Sequence, residues 1–151
     1  MSEAFKIFLT SGLTVLGGVL IYTLGQFISK FFIEPIHAQA KCIEHISHSL
    51  IFYANVYCNV SNKQHDIREK ISNTIRHQAS VLISRTNMIR VYSFFEHLKL
   101  VPKRDDVDKA VAELIGLSNS IFPPVGIDTD PNGSRENYIR SENIKKFLKL
   151  T

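Results

Sequence analysis

The stretch Ile7–Ser29, IFLTSGLTVLGGVLIYTLGQFIS, holds no charged residue and is bracketed by Lys6 and Lys30. Wound as an α-helix, its 23 residues extend about 34 Å, against a bilayer hydrocarbon core of about 30 Å. A buried helix of a soluble domain is seldom apolar on every face for six turns, and an interfacial helix needs a polar face. A cleaved leader has a shorter apolar run and a more basic start. The small-x-small triplet Ala38-Gln39-Ala40 would suit cleavage, but it lies about ten residues past the apolar run. The stretch therefore reads as a retained, single transmembrane helix.

Orientation follows from the cations at its two ends. Lys6 and the terminal amine precede the span. Lys30 and Lys41 follow it, and beyond them lie Lys63, Arg68, Lys70, Arg76, Arg85 and Arg90. Lysine and arginine are retained on the cytoplasmic side, so the C-terminal part is expected in the cytoplasm. Within the span, Ser11, Gly18 and Gly25 recur every seven residues, and Thr14 precedes Gly18 by four. A stripe of small side chains lets two helices approach closely in lipid, and Gln26 is placed to hydrogen-bond across such a contact. Self-association through this stripe is the corresponding expectation.

The remaining residues are enough for one modest core. Pro35 marks the exit, with Glu34 biased away from helix by the proline that follows it. Ile36, Ala40, Ile43, Ile46, Leu50, Tyr53 and Tyr57 then step by threes and fours, predicting one helix over 36–59. Ile67, Ile71, Ile75, Ala79 and Leu82 predict a second, starting after Ser61-Asn62 and running to residue 86. The short polar join predicts that these two form an antiparallel hairpin. Asn87–Leu100 reads as a shorter helix. Asp105-Asp106 load the start of another, with the stripe Val107, Ala110, Val111, Leu114, Ile115, Ser118 and Ile121. Gly116 inside it costs about 1 kcal/mol relative to alanine, which predicts a close helix crossing with Ser118 and Asn119 beside it. Residues 123–133 read as a linker. From Ser134, Ile139, Ile144, Phe147, Leu148 and Leu150 oppose Arg140, Lys145, Lys146 and Lys149, a basic amphipathic tail suited to lipid or a partner. The expected fold is all-α: a transmembrane anchor over 1–33, an antiparallel helical bundle over 34–122, the linker, and a short amphipathic helix over 134–151.

Motifs for chemistry are scarce. Cys42, Glu44, His45 and His48 share helical spacings, so Cys42, His45 and His48 are weak metal-ligand candidates, with no second cluster to complete a shell. Asp128, Asp130, Asn132 and Gly133 match the first half of a calcium loop, but its twelfth position is Ile139 rather than glutamate. There is no phosphate-binding glycine loop, nucleophile elbow or H-E-x-x-H. No groove-reading motif supports nucleic-acid binding. The expectation is a protein without cofactor or metal and without enzymatic activity. Cys42 and Cys58 read as free thiols of a reducing compartment.

The exit Ile33-x-Pro35, the helix Leu50–Ala54, Pro102, and Leu114, Gly116, Leu117 and Ser118 together resemble a diffuse group of small bacterial proteins with one N-terminal transmembrane helix and a helical domain. That resemblance spans residues 30–121 and implies fold and location only: an inner-membrane, single-pass protein with its domain in the cytoplasm. Two functions are open. One is a membrane-anchored interaction or scaffolding module, forming a homo-oligomer or pairing with another membrane-associated protein. The alternative is a membrane-perturbing effector, such as a stress or phage-defence toxin, acting through clustered spans.

Overall fold

The uncharged opening is helical from Glu3 to Ile28 (α1) in a computed structural model, which describes residues 3–59, 65–122 and 133–150. All the described secondary structure is helical, with no strand among the described residues. No residue of α1 is buried. It is the one helix among the described residues long and apolar enough to cross a membrane.

The exit differs from expectation. Helix does not stop at Glu34; it continues unbroken from Glu3 to Phe52, 50 residues in all. The turn Ser29–Ile33 is π-helical, and the Glu34 N–H donates to the Ser29 carbonyl, five residues back. The reason lies one residue later. A proline ring collides with the carbonyl four positions behind it, here Phe31, and has no N–H to bond. A widened turn moves that carbonyl aside, so helix α2 (Glu34–Phe52) carries on with Glu34 in ordinary helical geometry.

Helix α2 also ends earlier than its apolar pattern predicts. Tyr53 leaves helical geometry, and a single turn, α3 (Ala54–Tyr57), follows. The break redirects the chain so that Val56 and Tyr57 both enter the core. The Tyr57 hydroxyl donates to the Leu50 carbonyl at 2.7 Å. The join predicted at Ser61-Asn62 lies outside the described residues, as does the linker predicted over 123–133, with most of the calcium-loop match, up to Gly133, which is helical.

Helix α4 (His65–Met88), helix α5 (Tyr92–His97), helix α6 (Arg104–Ile121) and helix α7 (Gly133–Leu148) complete the chain. α4 packs on α2 and on α6, and α7 packs on α6. Their shared core contains Ile46, Leu50, Ile75, Leu82, Leu114 and Leu117. Each such side chain contributes about 1.5–3 kcal/mol by leaving water. A smaller cluster of Ile89, Tyr92 and Val101 sits where α5 meets the start of α2.

The inward stripes are rotated from the purely apolar reading. In α2 the buried residues are Gln39, Cys42, Ile46, Ser49 and Leu50, while Ala40 is exposed. In α4, Ser72 and Thr86 join Ile71, Ile75, Ala79 and Leu82, and Ile67 is exposed. In α6, Leu117 is fully buried and Ile115 is exposed. In α7 the inward residues are Asn137, Ser141, Ile144 and Leu148, and Ile139 is exposed. Polar side chains with partners across the helices decide these rotations, as follows below.

Candidate functional site

The stripe of small residues in α1 is exposed along its length. A Cβ added at Gly18 or Gly25 would meet nothing within 4 Å. The Ser11 and Thr14 hydroxyls donate to the carbonyls of Ile7 and Thr10, each at 2.9 Å. Both are thus satisfied within their own helix, as an apolar surrounding requires. Gln26, one residue after Gly25, is also exposed.

The four tail cations opposed to the apolar stripe divide into two kinds. Arg140 is engaged: its guanidinium donates to Glu113 on α6 at 3.1 Å and to Glu136 one turn earlier. Asn143 donates to the other Glu113 oxygen at 3.0 Å. Lys145 donates to Glu142 at 2.8 Å, and this hydrogen bond to the carboxylate raises its pKa above the ordinary lysine value. Lys146 and Lys149 are exposed. Of the residues expected to face lipid or a partner, Lys146 and Lys149 stand out from the surface, while Arg140 clamps α7 to α6.

Gly116, Ser118 and Asn119 face two different helices, Gly116 towards α7 and the other two towards α4. The Arg140 guanidinium occupies the space a Gly116 Cβ would need. Ser118 is fully buried, and its carbonyl accepts from Ser72 of α4 at 2.8 Å. Asn119 accepts from Arg76 of α4 at 2.7 Å. Gly116 therefore admits a side chain of α7 rather than a second backbone.

The weak metal candidates do not converge. Cys42 is buried with its sulfur 4.0 Å from the Gln78 carbonyl; His45 and His48 are exposed, and His48 stacks on Phe52. Among the described residues no group of three or more His, Cys, Asp or Glu is placed to hold a metal ion. Burial raises the Cys42 thiol pKa, with Arg85 pulling weakly the other way, and burial raises that of Cys58 too.

One further constellation, at the exit, carries no recognisable signal in the sequence. Gln39, fully buried, donates from Nε2 to Thr86 Oγ1 at 2.8 Å and to Tyr92 Oη at 3.2 Å. Tyr92 in turn donates to the Pro102 carbonyl at 2.8 Å. Burial raises the Tyr92 pKa, and the Gln39 hydrogen bond opposes that rise. This network joins α2, α4, α5 and the segment leading into α6. It pins α5 beside the π-turn, where the Phe32 and Phe95 rings are 6.1 Å apart and the Arg90 guanidinium lies 5.1 Å over Phe31. Between α5 and the exit runs a groove of about 570 Å³, lined by Ile28, Phe32, Ile36, Phe94, Phe95 and Leu100 among others.

No family model matches the chain, and no curated protein or solved structure matches it. The functional reading rests on the residues themselves.

Proposed function

We propose that this chain is a single-pass, membrane-anchored helical module that presents its C-terminal domain as an interaction or scaffolding surface. The observation that carries the reading is the exposure of α1, whose residues 7–28 bear no charge and include none that is buried. Water is a poor solvent for such a surface and lipid a good one. Cleavage after Ala40 would cut α2 beside buried Gln39 and remove an anchor point of the fold, which supports retention of the segment.

The cation distribution supports a cytoplasmic C-terminal domain. The resemblance of residues 30–121 to small bacterial single-span proteins supports the inner membrane as its place. An antiparallel bundle is supported by the order of cross-helix pairs. Gln39 meets Thr86 while Ser49 meets Gln78, and Arg76 meets Asn119 while Asn87 meets Arg104. In both cases numbers rise along one helix as they fall along the other.

The module would act by effective concentration: an anchor holds a helical surface near its partner and raises apparent affinity without new contacts. Ser11, Thr14, Gly18, Gly25 and Gln26 are the surface for pairing of spans, and Lys146 and Lys149 the cations open to lipid or a partner. Fractionation with alkaline carbonate tests the anchor, which fails if the intact chain stays in the supernatant. Cross-linking in native membranes tests the scaffold: linked copies or a reproducible neighbour are expected, and monomer alone would remove it. Collapse of membrane potential on expression, cured by Gly18→Leu, would instead favour the membrane-perturbing reading.

A further inference from the structure

We infer that α5 and its flanking residues form a second, shallow membrane contact, seated in the headgroup layer of the leaflet from which the span emerges. The inference rests on the anchor reading and adds how the domain stands on the bilayer. Phe94 on α5, Val91 and Leu98 at its two ends, and Leu100 just beyond are each about half exposed or more. Large apolar side chains gathered on one short element need a cover. Three observations point to lipid as that cover.

The first is depth. Phe95 contacts Phe32, which follows Ile28 by four residues, a rise of about 6 Å along the helix. Headgroup regions add about 5–7 Å on each side of the hydrocarbon core, so α5 meets the helix within that layer. The second is continuity. The groove beside α5 is lined by Ile28, the last residue of α1, so its apolar surface runs directly into that of the span. The third is charge. Arg90, whose guanidinium lies over Phe31, is exposed, as are Lys30, Lys99 and Lys103, near the patch in sequence; the carboxylates equally near are Glu34, Asp105, Asp106 and Glu96, which accepts from the Arg104 N–H. Apolar side chains ringed by snorkelling cations are the pattern of an element lying in an anionic membrane surface. The buried Gln39–Thr86–Tyr92 network holds α5 in this place, so the domain would be fixed in orientation with Ile51 and Phe52 at the end of α2 far from the exit.

The chain has no tryptophan, so single tryptophans report position cleanly. The full chain is reconstituted in phosphatidylglycerol-containing vesicles with brominated acyl chains, carrying Leu20→Trp, Phe94→Trp, Leu98→Trp or Phe52→Trp. Leu20→Trp should be quenched by bromines deep in the bilayer. Phe94→Trp and Leu98→Trp should lie about 5–10 Å into the boundary and lose roughly half their emission to shallow bromines only. Phe52→Trp should be quenched by neither. Arg90→Ala with Lys99→Ala should weaken the shallow quenching, as should replacing the anionic lipid by phosphatidylcholine. If position 94 and position 98 emit as in water, the inference is wrong while quenched Leu20→Trp leaves the anchor standing. A blue-shifted but unquenched Phe94→Trp would mean a second copy or another protein covers the patch, again overturning it. Equal quenching at 52 and 94 would mean the domain lies flat, which also overturns it. An unquenched Leu20→Trp would remove the anchor and this inference together.

Discussion

The guanidinium of Arg140 lies over the bare backbone of Gly116 and reaches past it to Glu113. This pair couples α7 to α6 and makes a prediction about sign. In the interior of a helix, glycine to alanine is worth about 1 kcal/mol of added stability. Here the new methyl must push aside the Arg140 Nη1 that bonds Glu113. Gly116→Ala should therefore stabilise an Arg140→Ala background by about 1 kcal/mol and give less than that, or a loss, in the native chain. A double-mutant cycle on thermal unfolding in detergent reads a coupling of at least ~0.5 kcal/mol; additivity would mean the two residues do not interact.

Tyr92→Phe removes a hydroxyl that donates to the Pro102 carbonyl and accepts from Gln39. The carbonyl is left without that donor, at a cost of about 1–3 kcal/mol. Denaturant unfolding should show the loss, with an unchanged slope on denaturant concentration.

Alkali should unfold the domain for a definite reason. Burial is the main cause raising the pKa values of Tyr57 and Tyr92. The folded state therefore keeps its phenolic protons at pH values where the unfolded chain has lost them. Each group's contribution is complete below its unfolded pKa, near 10, and is lost as pH rises through the higher folded value. Stability should thus fall above about pH 10, and less steeply in Tyr92→Phe.

Two helix ends carry lysine where glycine is cheaper. Lys99 and Lys149 both adopt positive φ, at 59° and 55°. In each case the next N–H bonds back five residues, Leu100 to Phe95 and Leu150 to Lys145. This is the closing turn for which glycine is preferred. Lys149→Gly should raise stability by about 0.5–1 kcal/mol, since relief of the left-handed strain exceeds the entropy glycine loses on folding. A lower melting temperature would contradict the geometry.

The thiols should react in order. Cys42 is buried and Cys58 only partly so. Iodoacetamide should label Cys58 first in the folded chain, with Cys42 following only as the domain opens. Mass spectrometry of a labelling time course reads the order directly.

Much of this architecture was legible in consecutive residues. The long apolar helix at the start is a matter of composition, and α4, α6 and α7 begin and end within a few residues of where periodicity places them. Three features were not legible. Pro35 reads locally as a helix break, yet a widened turn of five residues lets the helix through. Gln39, Thr86 and Asn137 fall outside the apolar stripes read from the sequence, yet each is fully buried with a partner distant in sequence: Gln39 with Thr86, and Asn137 with the Tyr57 carbonyl at 2.9 Å. Arg140 reads as a free cation of a basic tail, yet Gly116 opens the space that ties it to Glu113.

By itself the sequence determined that this chain is helical, that its first helix is long and apolar enough to cross a membrane, and roughly where α4, α6 and α7 run. Those properties arise from hydropathy and spacing among neighbours, which act within a few turns. Only the tertiary structure decided how each helix is rotated, that α5 sits against the exit, and which tail cations stay free. Those depend on hydrogen bonds and ion pairs between residues dozens of positions apart, such as Gln39 with Thr86 and Arg140 with Glu113. A buried polar group must find its partner wherever the fold supplies one, and no single segment encodes both halves of the pair.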